Sequence, residues 1–200
     1  MGLSLVSLTF FCFFAVVFAA YWLVPNNALQ KWLLLVASYV FYAFFDYRFC
    51  FLLFGASLVG FVLGRRLTSA TRTGTRKALL ITGLTVNLLL LGTFKYFDFF
   101  SSGATSLLSH LGFKVDTITL KLLLPVGISF YLFKILSCLI DIYRGEKHGD
   151  AALLDFLVYV AFFPQLLSGP IDRAGTFLPQ LKKKRTFDYG LAVEGTRQIL

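Results

Sequence analysis

Long apolar runs separated by short polar punctuation fill this chain, and the length of each run is the first feature with structural meaning. Leu3 to Val24 supplies the about 20 residues that a helix needs to cross a hydrocarbon core, and Tyr21 and Trp22 before Pro25 mark an interfacial end. After the turn Pro25-Asn26-Asn27, a second helix is expected from about Lys31 to Phe45, closed by Asp46-Tyr47-Arg48, and a third from about Phe49 to Gly64. Their tight connection makes them antiparallel neighbours. A fourth helix is expected from about Ala78 to Phe97, with Asn87 inside it as an interhelical hydrogen-bonding group, followed by a Ser- and Gly-rich loop from Asp98 to Thr119. A central segment then runs from Lys121 to Glu146, and another apolar run from Leu153 to Ile171. Beyond Phe187 an amphipathic stretch reaches Leu200 without a helix-ending signal, so the natural chain is expected to continue. The pattern predicts an all-α polytopic transmembrane helix bundle, with residues 1–200 forming a single membrane domain that is incomplete at its C-terminal end.

The central segment organises the rest. Pro125 and Gly127 interrupt it near its start, Lys134 sits in its middle, and Asp141 and Arg144 close it. A central Lys or Asp costs on the order of 2.5–3.5 kcal/mol even on the lenient insertion scale, so such groups face a protein interior or a watery cavity. An early Pro frees backbone groups that neighbours must satisfy. A packed bundle with a polar interior follows.

Basic residues set the expected orientation. RRLTSATRTGTRK, Arg65 to Lys77, is the densest basic loop between two clear spans and belongs to the cytoplasm by the positive-inside rule. The N-terminus then starts outside, and the central segment crosses inward, placing Asp141, Arg144 and Lys147 at the cytoplasmic end. A single crossing by Leu153 to Ile171 would put KKKR, Lys182 to Arg185, on the wrong side. Pro164, Gly169, Pro170 and Pro179 offer another path: half-helices that enter and return to the same face. Such backbone is tolerated at membrane depth only where protein buries it or a cavity is lined by it, so a re-entrant element packed on the central helix is expected.

Composition agrees with these runs. With 58% hydrophobic and only 14% charged residues and a mean hydropathy of +0.77, the chain lies far from the roughly 25% charged norm of soluble domains. The net charge of +9 does not indicate nucleic acid, because the basic residues cluster at segment ends instead of forming a face with interleaved aromatics. Cys12, Cys50 and Cys138 lie far apart, with no CxxC pair and no nearby His for a metal site, and read as small buried hydrophobes. The first run lacks a basic leader and a small-residue cleavage site, so it reads as a retained helix.

GISFYLFKILSCLIDIYRGE from Gly127 to Glu146, followed by LLDFLVYVAFFPQLLSGPIDRAGTFLPQL from Leu153 to Leu181, resembles the membrane-bound O-acyltransferase family. The resemblance is to its bacterial alginate O-acetyltransferase-like branch, in the N-terminal portion. YWLVP at Tyr21 to Pro25, LLLVASYVFYAFF at Leu33 to Phe45 and NLLLLGTFKYFDFF at Asn87 to Phe100 are similar to that branch in the same order. The resemblance implies O-acyl transfer, with O-acetyl transfer foremost, from a cytoplasmic donor to a polysaccharide or cell-envelope hydroxyl. The implied donor is acetyl-CoA or a carrier-protein thioester, with no cofactor bound. The implied setting is the bacterial inner membrane, with an acyl carrier protein and a periplasmic transferase as partners.

Acyl transfer to a hydroxyl needs a base, usually His, whose pKa lies near the working pH. The resemblance places that His inside the membrane, beyond the matched blocks. His110 and His148, the two present, fall in predicted loops, so no catalytic residue is assigned here. Lys134 departs from the family pattern, close to GISFYTFQ, as does Leu132. It either pairs with a carboxylate, Asp141 two turns along or a group from another helix, or lines a channel and meets an anionic substrate. Asp141 and Arg144, one turn apart, have the spacing of an ion pair. Gln165, Ser168, Asp172 and Arg173 bracket a Gly-Pro turn, where Arg173 could bind a phosphate or carboxylate or anchor the cytoplasmic face. Lys134, Asp141, Arg144, Gln165 and Arg173 are thus the candidate channel or substrate-lining residues. The rival to the enzyme reading is a non-catalytic short membrane scaffold, partner protein or truncated remnant.

Overall fold

The computed structural model describes residues 8–110, 125–146, 149–166, 172–183 and 188–199. They form helices and connections, with no strand among the described residues. Helix α1 covers Leu8–Leu23, α2 Asn27–Asp46, α3 Arg48–Ser69 and α4 Thr73–His110. The central α5 covers Ile128–Tyr143, followed by α6 (Leu153–Ala161), the single turn α7 (Phe163–Leu166), α8 (Ala174–Lys182) and α9 (Tyr189–Ile199).

Among the described residues, three helical stretches are long and apolar enough to cross a membrane: Asn27–Asp46, Arg48–Ser69 and Thr73–Tyr96. Their outer faces are apolar as well. Val36, Val40 and Phe44 are exposed in one stripe of α2, and Phe51, Phe54, Leu58 and Val62 in one stripe of α3. Large apolar patches facing water are unfavourable, so these stripes face lipid. The protein is a multi-pass membrane protein built as an all-α bundle.

Helix α5 forms the interior. Nine of its 16 residues are buried, Lys134 among them. It packs against α3 and α4 and also touches α6, α7 and α8. Small residues permit the close approach: a Cβ on Gly60 of α3 would lie 2.5 Å from Ile135, and one on Gly83 of α4 2.6 Å from Leu139. The turn before α5 depends on Gly127, which has φ +76° and no room for a Cβ beside the Leu166 carbonyl.

Side chains satisfy the helix ends. Asn26 caps α2 by accepting from Ala28 N at 2.8 Å. Buried Gln30 donates to the C-terminal carbonyls of α1, Tyr21 O at 3.2 Å and Val24 O at 2.8 Å. Arg76 donates to Leu67 O (3.2 Å) and Ala70 O (3.5 Å) after α3, and to Ile142 O (3.2 Å) and Tyr143 O (3.0 Å) at the end of α5. One guanidinium thus closes two helix C-termini, where the carbonyl dipoles favour a cation.

Several expectations change. The loop placed at Asp98 to Thr119 is helical through His110, as the end of α4, while residues 111–124 lie outside the described residues. Thr105 in this stretch turns its hydroxyl back on the helix, Oγ1 donating to Ser101 O at 2.9 Å, which removes its pull toward a loop. The basic loop Arg65 to Lys77 shortens to residues 70–72 between α3 and α4. Asn87 is buried, but its Nδ2 donates within its own helix to Gly83 O at 2.8 Å. Cys138 is buried as expected, whereas Cys50 is half-buried and Cys12 exposed.

Candidate functional site

The apolar run from Leu153 breaks where Phe162 leaves the helix, φ −51° and ψ 108°. A break in an apolar helical run frees backbone groups that need partners, and the neighbours supply them. Phe163 N donates to Ser38 Oγ of α2 at 3.2 Å, and Ser38 itself donates to Leu34 O at 2.7 Å. Pro164 has no N–H to satisfy. The Phe163 ring then wedges among α1 and α2, with centroids 5.2 Å from Phe13 and 5.6 Å from Phe41.

Both ends of the broken segment are tied to the start of α2. Asp155 in the first turn of α6 pairs with Lys31 at 2.7 Å, and the carboxylate is only 4% exposed. At the far end of α8, Asn27 Nδ2 donates to Lys182 O at 3.5 Å and Lys183 O at 3.4 Å.

Between these ends lies a buried polar chain. Lys134, 1% exposed, donates from Nζ to Gln165 Oε1 at 2.7 Å and to Tyr159 O at 3.1 Å. Gln165 Nε2 in turn donates to Asp172 Oδ2. An ammonium only donates and an ionised carboxylate only accepts, so the charges at either end fix the amide orientation. Tyr159 joins the chain through its hydroxyl, whose one proton donates to Asp172 O at 3.1 Å, with Lys134 O a longer alternative acceptor at 3.4 Å. The ammonium also lies 5.3 Å from the Tyr159 ring and 5.9 Å from that of Phe177, close enough for cation–π attraction.

Gln165 and Asp172 also line the wall of a cavity of about 330 Å³ between α1 and the broken segment. Its other walls are mainly aromatic, including Phe14, Phe18, Trp22, Phe162 and Phe177, with Gln180 adding a third polar side chain. An apolar cavity with a few convergent polar groups is the usual form of a small-molecule site.

Of the sequence candidates, Lys134 and Gln165 therefore meet. Asp141 does not reach Lys134: seven residues span about 10.5 Å of helix axis, and helical side chains lean toward the N-terminus, carrying Lys134 away from Asp141. No ion pair joins Asp141 and Arg144 among the described residues; Arg144 is the exposed C-cap of α5. Arg173 is exposed at the N-cap of α8 and is not in the cavity wall. His110 ends α4, exposed, with Nδ1 2.8 Å from Ser106 O. His148 and Ser168 lie outside the described residues. Asp155 and Tyr159 were not legible as site residues, although Asp155 had a signal: a carboxylate inside an apolar run needs a partner for the same reason as Lys134.

The chain is 35% identical over 192 residues to the probable alginate O-acetylase AlgI of Pseudomonas aeruginosa, matching 96% of this chain and 36% of that protein. It is 35% identical over 191 residues to the probable alginate O-acetylase AlgI of Azotobacter vinelandii, matching 95% of this chain and 38% of that protein. The chain belongs to the membrane-bound O-acyltransferase family. A more distant member, the peptidoglycan O-acetyltransferase of Helicobacter pylori, is 30% identical over 202 residues, matching 87% of this chain and 37% of that protein. The chain spans little more than a third of the length of these relatives and matches their N-terminal part. No family model and no solved structure matches it. Within the membrane-bound O-acyltransferases, the matched region includes both α5 and the broken segment that carry the polar chain.

Proposed function

We propose that this chain forms the N-terminal membrane part of an O-acyltransferase that moves acetyl groups from a cytoplasmic thioester, acetyl-CoA or an acylated carrier protein, to hydroxyls of a polysaccharide or cell-envelope polymer. The observation that carries the reading is the identity along nearly the whole chain to proteins named for O-acetylation of alginate and peptidoglycan. The chain sits in the bacterial inner membrane with its N-terminus outside, and its turn at residues 70–72 faces the cytoplasm. The segment from α6 to α8 is re-entrant, a reading supported by the attachment of both its ends to the start of α2. The catalytic base lies in the part of the family's length that this chain does not span, and a periplasmic transferase takes part in delivery.

Deleting the gene and measuring acetyl ester in the extracellular polysaccharide and the peptidoglycan tests the reading. Loss of ester from one polymer, restored by the natural full-length protein, is the expected result. Unchanged ester in both polymers favours the second reading, a non-catalytic membrane scaffold. That alternative draws on the position of His110, exposed and outside the cavity wall.

A further inference from the structure

The Lys134–Gln165–Asp172 chain does more than neutralise a buried charge, because its acidic end lies in the cavity wall. Lys134 is enclosed, and Gln165 and Tyr159 are the partners of its ammonium. Asp172 is half-buried, and one of its carboxylate oxygens is held by Gln165. Its other oxygen has no partner among the described residues. A carboxylate on an aromatic wall would ordinarily attract cations, but here the ammonium at the far end of the amide offsets its charge. What remains for a ligand is an oriented acceptor in an electroneutral, mostly apolar space.

We propose that Lys134 is a positioning residue: through the Gln165 amide it holds the Asp172 carboxylate in the cavity wall as acceptor for a neutral ligand bearing a hydroxyl or amide N–H. The aromatic walls take the apolar body of the ligand, and Asp172 selects its donor. The rigid side-chain amide fixes the carboxylate in place, so Lys134 acts on the ligand without touching it. The proposal concerns binding and stands independently of acyl transfer.

Benzyl alcohol and anisole test it directly, being isomers of similar bulk of which only the alcohol has a donor. Affinities for the full natural protein in lipid nanodiscs would be measured by saturation-transfer NMR, with each variant as the control for uptake by the lipid. A charge-assisted hydrogen bond predicts a preference for the alcohol of about tenfold. The preference is expected to vanish in Asp172→Ala and in Lys134→Met, while the affinity for anisole stays within about twofold. Gln165→Met breaks the same chain at a half-buried position and gives the same reading should Lys134→Met fail to fold. No preference in the native protein, or one that survives Asp172→Ala, overturns the proposal. A preference lost in Asp172→Ala but retained in Lys134→Met and Gln165→Met overturns the positioning role.

Discussion

Lys134 and Arg76 show how differently two cations are used in one bundle. Arg76 meets four carbonyl oxygens at the ends of α3 and α5 and has the Tyr143 ring 5.8 Å from its guanidinium carbon. Its planar fork presents several donors at once, which an ammonium cannot reproduce. Arg76→Ala is therefore expected to destabilise the protein by about 2–3 kcal/mol, read as a lower urea midpoint in mixed micelles, with Arg76→Lys recovering only part of the loss. The Lys31–Asp155 pair makes a second residue-scale prediction. Removing either partner leaves a largely buried charge alone, at a cost of about 3–5 kcal/mol, whereas an apolar pair costs much less. Lys31→Met and Asp155→Leu singly should lower the unfolding midpoint far more than the two together, and additive losses would refute the coupling. Sequence alone made Lys134 conspicuous, because a charge inside an apolar run carries a known cost. Its partners were hidden, since Tyr159 and Gln165 lie 25 and 31 residues away and only packing brings them near.

At the scale of elements, run length was a reliable guide and punctuation a mixed one. The hydrocarbon core fixes how many apolar residues a span needs, so α2 and α3 fall close to their expected bounds. The far end of α4 is not legible as helix because its Ser, Gly and Thr residues suit a loop equally well, and only the folded chain shows the Thr105 hydroxyl on a carbonyl one turn back. The run breaks at Phe162, just before Pro164, whereas Pro179 lies inside α8 and breaks nothing, and Gly169 and Pro170 lie outside the described residues. What makes the break tolerable is Ser38, a residue with no distinguishing sequence context. Ser38→Ala should leave the Phe163 N–H buried without a partner and cost about 1–3 kcal/mol, seen as earlier thermal unfolding in detergent. Gly127→Ala should cost at least about 1–2 kcal/mol from the left-handed backbone alone, and more from the collision with the Leu166 carbonyl. A midpoint unchanged in Gly127→Ala would contradict the turn before α5.

The whole molecule presents apolar stripes outward and a polar chain inward, with the broken segment strapped to the start of α2 at both ends. Cysteine accessibility tests the proposed topology, once Cys12, Cys50 and Cys138 are replaced. An impermeant maleimide should label Tyr47→Cys from outside the cell, and Thr71→Cys and Lys183→Cys only in inverted vesicles. Labelling of Lys183→Cys from outside would mean that the segment crosses the membrane instead of returning. By itself, the sequence determined the helical class, the membrane setting, the main spans and the presence of a charge needing an interior partner, because each follows from local composition set against the cost of entering hydrocarbon. The tertiary structure alone decided that Lys134 reaches Asp172 through Gln165 and that aromatic side chains from α1 and the broken segment line an open cavity beside it. Those contacts join residues distant along the chain, and whether they form depends on how the helices pack, which no local pattern encodes.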